Sequence, residues 1–112
     1  MKTTVVLNPQ AGAGRAGKNI DKIKARIESV LGPAELVSTE KAGDATFLTR
    51  NALQNDVERI VAVGGDGTNN EVINGFFDEV RSSPTSHLFG LVIIELQVAY
   101  ESFLNSGSNQ LP

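Results

Sequence analysis

The chain contains 112 residues, of which 40% are hydrophobic and 21% are charged, and its formal net charge is −3. This composition is typical of one small soluble domain or part of a larger one, and the acidic balance argues against general nucleic-acid binding. With no cysteine and only one histidine, the chain cannot form disulfides, thiolate metal sites or a multi-histidine metal centre, so any metal would be held by oxygen atoms.

Apolar runs and helical stretches alternate along the chain. The first run, residues 3–7, is β-rich and free of charge, which is typical of a strand covered on both faces of a parallel sheet. A loop at 8–17 precedes apolar residues at helical spacing, and Gly32 and Pro33 end that helix. The later predicted elements are a strand at 34–38, a helix from its cap Asp44 to about residue 53, a strand at 57–63, a helix at 68–80, a loop at 82–86 and a strand at 88–94. This order predicts an α/β fold with a parallel sheet, and a ligand site beyond the carboxyl ends of its strands.

No apolar run approaches the roughly 20 residues that cross a bilayer, and the N-terminus does not resemble a signal peptide, so we expect a cytoplasmic chain without an integral membrane segment. Residues 1–30 carry six basic and two acidic side chains, a net charge of +4. This basic end could face polyphosphate or the headgroups of acidic lipids in a peripheral membrane contact. For Lys22, Lys24 and Arg26 the alternative is an ordinary solvated helix face.

The first glycine-rich loop, residues 12–19, satisfies two nucleotide-binding patterns imperfectly. It fits G-x-G-x-x-G, but four residues separate it from the end of the strand. It also fits G-x-x-x-x-G-K, but Asn19 stands where a P-loop needs a hydroxyl for Mg²⁺. Both readings place backbone N–H groups, Arg15 and Lys18 near one strand end, which would suit phosphates. A glycine-rich turn without a ligand is the alternative.

The second glycine-rich loop, Gly64 to Gly67, separates an apolar run from a helical segment. Its glycines bring bare N–H groups close to a ligand, and Thr68 and Glu71 have the spacing of a capping box at a helix start. The N-terminus of a helix favours an anion, so this loop predicts a phosphate site. Asp66 would repel phosphate unless it contacts Mg²⁺ or accepts a proton from the attacking group. A loop-shaping Asx turn is the alternative for Asp66.

Three segments together resemble a known family. They are Asn8-Pro9-Gln10-Ala11-Gly12, Thr39 followed by Gly43-Asp44-Ala45, and Gly64-Gly65-Asp66-Gly67-Thr68-Asn69-Asn70-Glu71-Val72. They are similar to the nucleotide-binding domain of the diacylglycerol kinase, sphingosine kinase and bacterial lipid kinase family. The resemblance implies a truncated three-layer, Rossmann-like parallel sheet like the N-terminal domain of NAD kinase and diacylglycerol kinase-like proteins. It assigns residues 1–94 to a partial domain and 95–112 to a divergent tail.

The resemblance also implies roles for individual residues. Asp66 would be catalytic, assisting Mg²⁺-dependent transfer of the γ-phosphoryl group of ATP to a lipid hydroxyl such as that of diacylglycerol. The residues expected to bind ATP are Asn8, Thr39, Gly64, Gly65, Asp66, Gly67, Thr68, Asn69, Asn70 and Glu71. For Thr39 an ordinary strand-end hydroxyl is the alternative, and Glu71 is expected to serve first as the capping partner of Thr68. Phe76 and Phe77 are expected in the core and His87 at the surface.

After Ile94 the chain departs from the family pattern. The family continues with a proline and a segment resembling Gly-Thr-Asn-Asp, and it carries a second, β-rich domain. Here residues 95–105 differ and could form a helix. We therefore expect an ATP-binding part that is inactive or weakly active alone, with lipid bound only if the missing domain is supplied. The alternatives are a non-catalytic nucleotide-binding or self-associating module, for instance a homodimer, and a soluble kinase related to NAD kinases.

Overall fold

The structure is a computed structural model that describes residues 2–77 and 90–95. Its elements, in chain order, are β1 (Thr3–Leu7), α1 (Arg15–Lys18), α2 (Ile20–Leu31), β2 (Glu35–Ser38), α3 (Asp44–Gln54), β3 (Arg59–Gly64), α4 (Asp66–Gly75) and β4 (Gly90–Glu95). The described strands form one sheet in the order β2-β1-β3-β4, with every neighbouring pair parallel. The predicted parallel α/β sheet is therefore confirmed.

The sheet lies between two layers of helices because successive side chains of a strand point to opposite faces. All five residues of β1 are buried. On one face, Val5 and Leu7 belong to a core cluster with Ile23 and Ile27 of α2. On the other face, Val6 belongs to a cluster that also includes Ala45, Ala52 and Leu53 of α3 and Val72 of α4. These two clusters confirm the three-layer arrangement expected from the sequence.

Several boundaries differ from the sequence predictions: β2 begins one residue later, and β3 and β4 each begin two residues later and end one residue later than expected. The predicted loop at 8–17 contains the start of the short helix α1, after three consecutive residues with positive φ at 12–14. α3 begins at the predicted Asp44, but Gly43 is its N-cap, so Asp44 is not the cap. α4 begins two residues before Thr68 because Gly65, with extended backbone, is its N-cap, and it ends at Gly75.

The aromatic residues after α4 divide between core and surface. Phe76 packs against the cluster that contains Val72, as predicted, whereas Phe77 is 40% exposed. The predictions for His87, for residues 78–80 and for a helix after residue 95 lie outside the described residues. Within the described part, no helix has the length and apolar character needed to cross a bilayer.

The turn from α2 into β2 is fixed by a carboxylate. Gly32 has φ of 88° and its N–H donates to the carbonyl of Glu28, which ends α2. Oε2 of Glu28 then accepts a hydrogen bond from the N–H of Ala34 at 2.9 Å. The same oxygen forms an ion pair with Nζ of Lys24 at 3.3 Å. These bonds set where β2 starts, at the amino ends of the parallel strands.

Candidate functional site

A cleft of about 600 Å³ opens at the carboxyl ends of β1, β2 and β3. Its lining residues are Asn8, Pro9, Gln10, Thr39, Glu40, Lys41, Ala42, Gly67, Thr68 and Glu71. A smaller cavity of about 230 Å³ adjoins it and is lined by Asn8, Ala11, Gly12, Gly64, Gly65, Gly67 and Thr68. The cleft lies at the sheet edge where the strand order predicted a ligand, and its volume is in the usual range for small-molecule sites.

Asn8 joins the end of β1 to the start of α4. Its backbone N–H donates to the carbonyl of Val63 at 2.9 Å, which extends the pairing of β1 with β3 by one residue. Its Oδ1 accepts the N–H of Gln10 at 3.0 Å, so the amide nitrogen must point the other way, where Nδ2 donates to Thr68 Oγ1 at 3.3 Å. Asn8 therefore fixes the two sides of the smaller cavity relative to each other.

The turn from β3 into α4 depends on a close approach at Gly64. A Cβ atom added there would lie 2.5 Å from both Cβ and Oγ1 of Thr68, which is closer than real Cβ atoms pack. Only glycine lets the buried end of β3 pass this close to the first turn of the helix. The strand therefore leads directly into α4, with only Gly65 between them.

The N-terminus of α4 is open towards both cavities. No side chain caps it, and its first backbone bond of the i to i−4 type runs from Asn69 N–H to Gly65 O at 3.0 Å. The N–H groups of the residues before Asn69 therefore have no partner within the helix. Since Gly67 and Thr68 line both cavities, this electropositive helix end lies at the site.

The predicted capping box of Thr68 and Glu71 is wrong. Thr68 is the third residue of α4, and its hydroxyl accepts from Asn8 instead of capping the helix. The Glu71 carboxylate reaches the start of α3, where Oε2 accepts the N–H of Gly43 at 3.0 Å and Oε1 accepts that of Ala45 at 3.3 Å. Glu71 therefore caps a neighbouring helix, whose own N-cap is a glycine without a side chain.

The loop from β2 to α3 forms one wall of the cleft. Thr39, 9% exposed, donates its N–H to the carbonyl of Leu7 at 2.9 Å and so stays fixed beside the end of β1. Asp44 Oδ2 accepts the N–H groups of Glu40 at 2.8 Å and Lys41 at 3.1 Å, which closes the loop on itself. The sequence did not predict five of the residues that line the cleft, although all lie within or beside the quoted motifs: Pro9, Gln10, Glu40, Lys41 and Ala42.

The remaining predicted residues occupy different environments. Asp66 is exposed as the first residue of α4, between Gly65 and Gly67, and is not one of the lining residues. Asn69 is only 8% exposed and Asn70 is exposed, and neither lines the two cavities. The structure thus brings Asn8, Thr39, Gly64, Gly65, Gly67, Thr68 and Glu71 to the site, with Asp66 beside it.

The two cationic residues of the first glycine-rich loop do not line either cavity. Arg15 and Lys18 are exposed on α1, and Arg15 Nε donates to the carbonyl of Gly12 at 3.3 Å. Asn19 Nδ2 donates to the carbonyl of Arg15 at 2.8 Å where α1 ends. This four-residue helix has the length of neither a P-loop helix nor a dinucleotide-binding helix. Of the loop, only Gly12 lines the smaller cavity, together with the preceding Ala11.

Comparison with known proteins identifies the family. The model of the diacylglycerol kinase catalytic domain matches residues 2–93, which include both glycine-rich loops, Thr39 and β1 to β3. The chain belongs to this family. Family membership agrees with the resemblance of the three motif segments and accounts for the placement of most of their residues around one cleft.

Relatives in the family include diacylglycerol kinases from staphylococci. The chain is 35% identical over 80 residues to the diacylglycerol kinase of Staphylococcus carnosus, covering 71% of this chain and 26% of the relative. It is 33% identical over 75 residues to that of Staphylococcus haemolyticus, covering 67% and 23%. A solved structure of a diacylglycerol kinase from Bacillus anthracis has a TM-score of 0.63 and 31% identity, covering 84% of this chain and 32% of that chain. The chain thus spans about a quarter to a third of the length of these relatives.

Proposed function

We propose that this chain is the nucleotide-binding part of an ATP-dependent lipid kinase. Residues 1–94 would form the kinase-like domain, the cleft would hold ATP, and the γ-phosphoryl group would pass to a hydroxyl of a lipid such as diacylglycerol. Membership of the diacylglycerol kinase catalytic domain family supports this class of reaction. Phosphoryl transfer depends mainly on positioning and charge stabilisation, which a preorganised strand-end cleft can supply.

The observation that carries the proposal is the open N-terminus of α4 at the cleft. Its uncapped N–H groups and partial positive charge suit the phosphates of ATP, and Gly67 has no Cβ to keep a ligand from the backbone. Thr68 is held by Asn8, so this turn does not need to reorganise when phosphate arrives. On this arrangement the phosphates lie against Gly65, Gly67 and Thr68, and the loop at Thr39 and Lys41 faces another part of the nucleotide.

Asp66 is the side chain we assign to the reacting end of the nucleotide. Among the described residues, no group of three or more His, Cys, Asp or Glu is placed to hold a metal ion. Mg²⁺ that arrives with nucleotide phosphates needs only one or two carboxylates, which one exposed aspartate beside the helix terminus can satisfy. When bound, Mg²⁺ would neutralise charge on the phosphates. Asp66 would contact that ion or accept the proton of the attacking hydroxyl.

The lipid acceptor is expected to need residues beyond those of this chain. The match covers only 26% of the Staphylococcus carnosus relative and 32% of the Bacillus anthracis chain, so most of the length of these relatives lies outside the match. We therefore expect the 112-residue chain to bind ATP weakly and to have little or no kinase activity. Robust phosphorylation of diacylglycerol by the purified chain would overturn this expectation.

A calorimetric ATP titration with and without Mg²⁺ tests the proposal, with Asp66→Ala as the variant. Without Mg²⁺, removal of the carboxylate relieves repulsion, so D66A should bind ATP as well as the wild type or better. With Mg²⁺, the variant should bind roughly threefold more weakly because a ligand of the ion is lost.

Asp21→Ala is the matched control, because Asp21 is likewise an exposed aspartate in the first turn of a helix and does not line the cleft. D21A should follow the wild type in both titrations. No saturable binding by the wild type at ATP concentrations on the order of millimolar would contradict the nucleotide proposal.

A further inference from the structure

We propose that Glu71 is a positioning residue, which holds the loop at 39–42 against α4 and so sets the width of the nucleotide cleft. This inference rests on the proposed function. It adds a residue that would act on the wall of the cleft without contacting the nucleotide.

The start of α3 lacks an acceptor of its own. Its N-cap is Gly43, at φ of 93°, and no side chain of α3 caps the helix. The first N–H groups of a helix need acceptors from outside it, and the Glu71 carboxylate provides both oxygens to Gly43 and Ala45. A separate bond, from the Thr46 hydroxyl to the backbone carbonyl of Glu71 at 2.7 Å, does not involve the carboxylate. The Glu71 carboxylate therefore holds the N-cap and the second residue of α3.

The loop at 39–42 is attached at both ends, and Glu71 controls one of them. At the β2 end, Thr39 is bonded to β1. At the α3 end, Asp44 holds the N–H groups of Glu40 and Lys41, and the turn that carries Asp44 is itself held by Glu71. All four residues of this loop line the cleft, and Lys41 is the cationic side chain among the residues that line either cavity.

The same helix also carries the proposed phosphate contacts. Gly67 and Thr68 precede Glu71 by about one turn of α4 and line the cleft with it. Glu71 thus links the two walls between which the nucleotide would lie. A loss of the link would leave the helix end in place while the loop at 39–42 moves away from it.

A direct contact of Glu71 with ATP is disfavoured by its bonds. Both carboxylate oxygens already accept backbone N–H groups, and turning either towards a ligand would leave a helix N–H without a partner. A carboxylate facing phosphate would also repel it. Because of these two costs, we expect the Glu71 carboxylate to keep its bonds to the start of α3 when ATP binds.

The test compares Glu71→Gln with the control Thr46→Val. Glutamine has one acceptor oxygen, so one of the two N–H groups loses its partner, whereas T46V removes only the hydroxyl bond and leaves the carboxylate intact. E71Q should weaken ATP binding about tenfold, the loss expected for one charged hydrogen bond, and equally with and without Mg²⁺. Amide hydrogen exchange at Gly43 and Ala45 should become faster in E71Q. T46V should change ATP affinity less than about twofold even where it lowers the denaturation midpoint as much as E71Q does.

The outcomes separate the possible roles. Equal weakening by E71Q and T46V at equal destabilisation would overturn the proposal in favour of a general stabilising role. Weakening by E71Q only with Mg²⁺, or tighter binding without it, would overturn it in favour of direct contact with the ion or the phosphate. If the wild type binds no ATP, the proposed function fails, and unchanged amide exchange at Gly43 and Ala45 in E71Q would separately overturn the role of Glu71 in holding the loop.

Discussion

The two glycine-rich loops follow β1 and β3, and both reach the same edge of the sheet, but only one delivers a helix to the site. After β1, residues 12–14 all have positive φ and lead into a helix of four residues. After β3, Gly65 alone separates the buried strand from the ten residues of α4. The second loop therefore presents an uncapped helix end to both cavities, while the first contributes only Gly12 to the smaller one.

The difference explains why we propose the second glycine-rich loop, and not the first, as the anion site. Both loops contain closely spaced glycines, and the first also carries the cations Arg15 and Lys18. These features are not sufficient, because neither Arg15 nor Lys18 lines either cavity. What distinguishes the second loop is the direct connection from strand to helix, which aligns the free N–H groups with the cleft.

The largest expected difference between the loops is in the loss of stability when a glycine of each, Gly64 or Gly14, is replaced by alanine. At Gly64 the new Cβ would overlap Thr68 in a buried turn, and we expect a loss of about 3 kcal/mol in the free energy of unfolding together with loss of ATP binding. Gly14→Ala places a Cβ in open space at φ of 87°, so its cost should be only about 1 kcal/mol. Urea denaturation of both variants measures the difference, and equal losses would contradict the close approach at Gly64.

A smaller effect is expected from the bond between Asn8 and Thr68, which joins the end of β1 to the start of α4. Thr68→Val should lower the free energy of unfolding by about 1 kcal/mol, and Asn8→Ala should lower it more because it also removes the acceptor of the Gln10 N–H. In a double-mutant cycle the two losses should be coupled by roughly 0.5–1 kcal/mol. Fully additive losses in urea titrations would show that the bond between Asn8 and Thr68 does not contribute to stability.

The smallest effect concerns Glu28, at the sheet edge away from the cleft. The N–H of Ala34 and, to a smaller extent, Lys24 lower the pKa of Glu28 below its usual 4.5, against a raising effect of burial. A lowered pKa in the folded state gives stability that is present above the unfolded pKa and is lost as the pH falls through the folded value. Glu28→Gln should therefore flatten the acid limb of stability against pH and leave ATP binding unchanged. Urea midpoints of both proteins measured from neutral to acidic pH check this, and parallel curves would refute it.

The strands were predictable because their signal is local. Residues 3–7 and the apolar run before Gly64 are uninterrupted and buried, so the sheet and the edge at which its cleft lies could be predicted from the sequence. The partner of Glu71 was not predictable from the spacing of a capping box, because the helix end that it caps comes near only in the folded chain. Nor does the sequence signal the left-handed conformation of Ala13, at φ of 59°, which precedes α1.

We propose that the N-terminus of α4, and not the first glycine-rich loop, binds the phosphates of ATP. Titration of the ¹⁵N-labelled chain with MgATP, followed by amide chemical shifts, distinguishes the two loops. We expect the largest saturable shifts at Gly65, Gly67 and Thr68, with smaller ones at Gly14 and Arg15. Largest shifts at Gly14 and Arg15, with α4 unaffected, would contradict it.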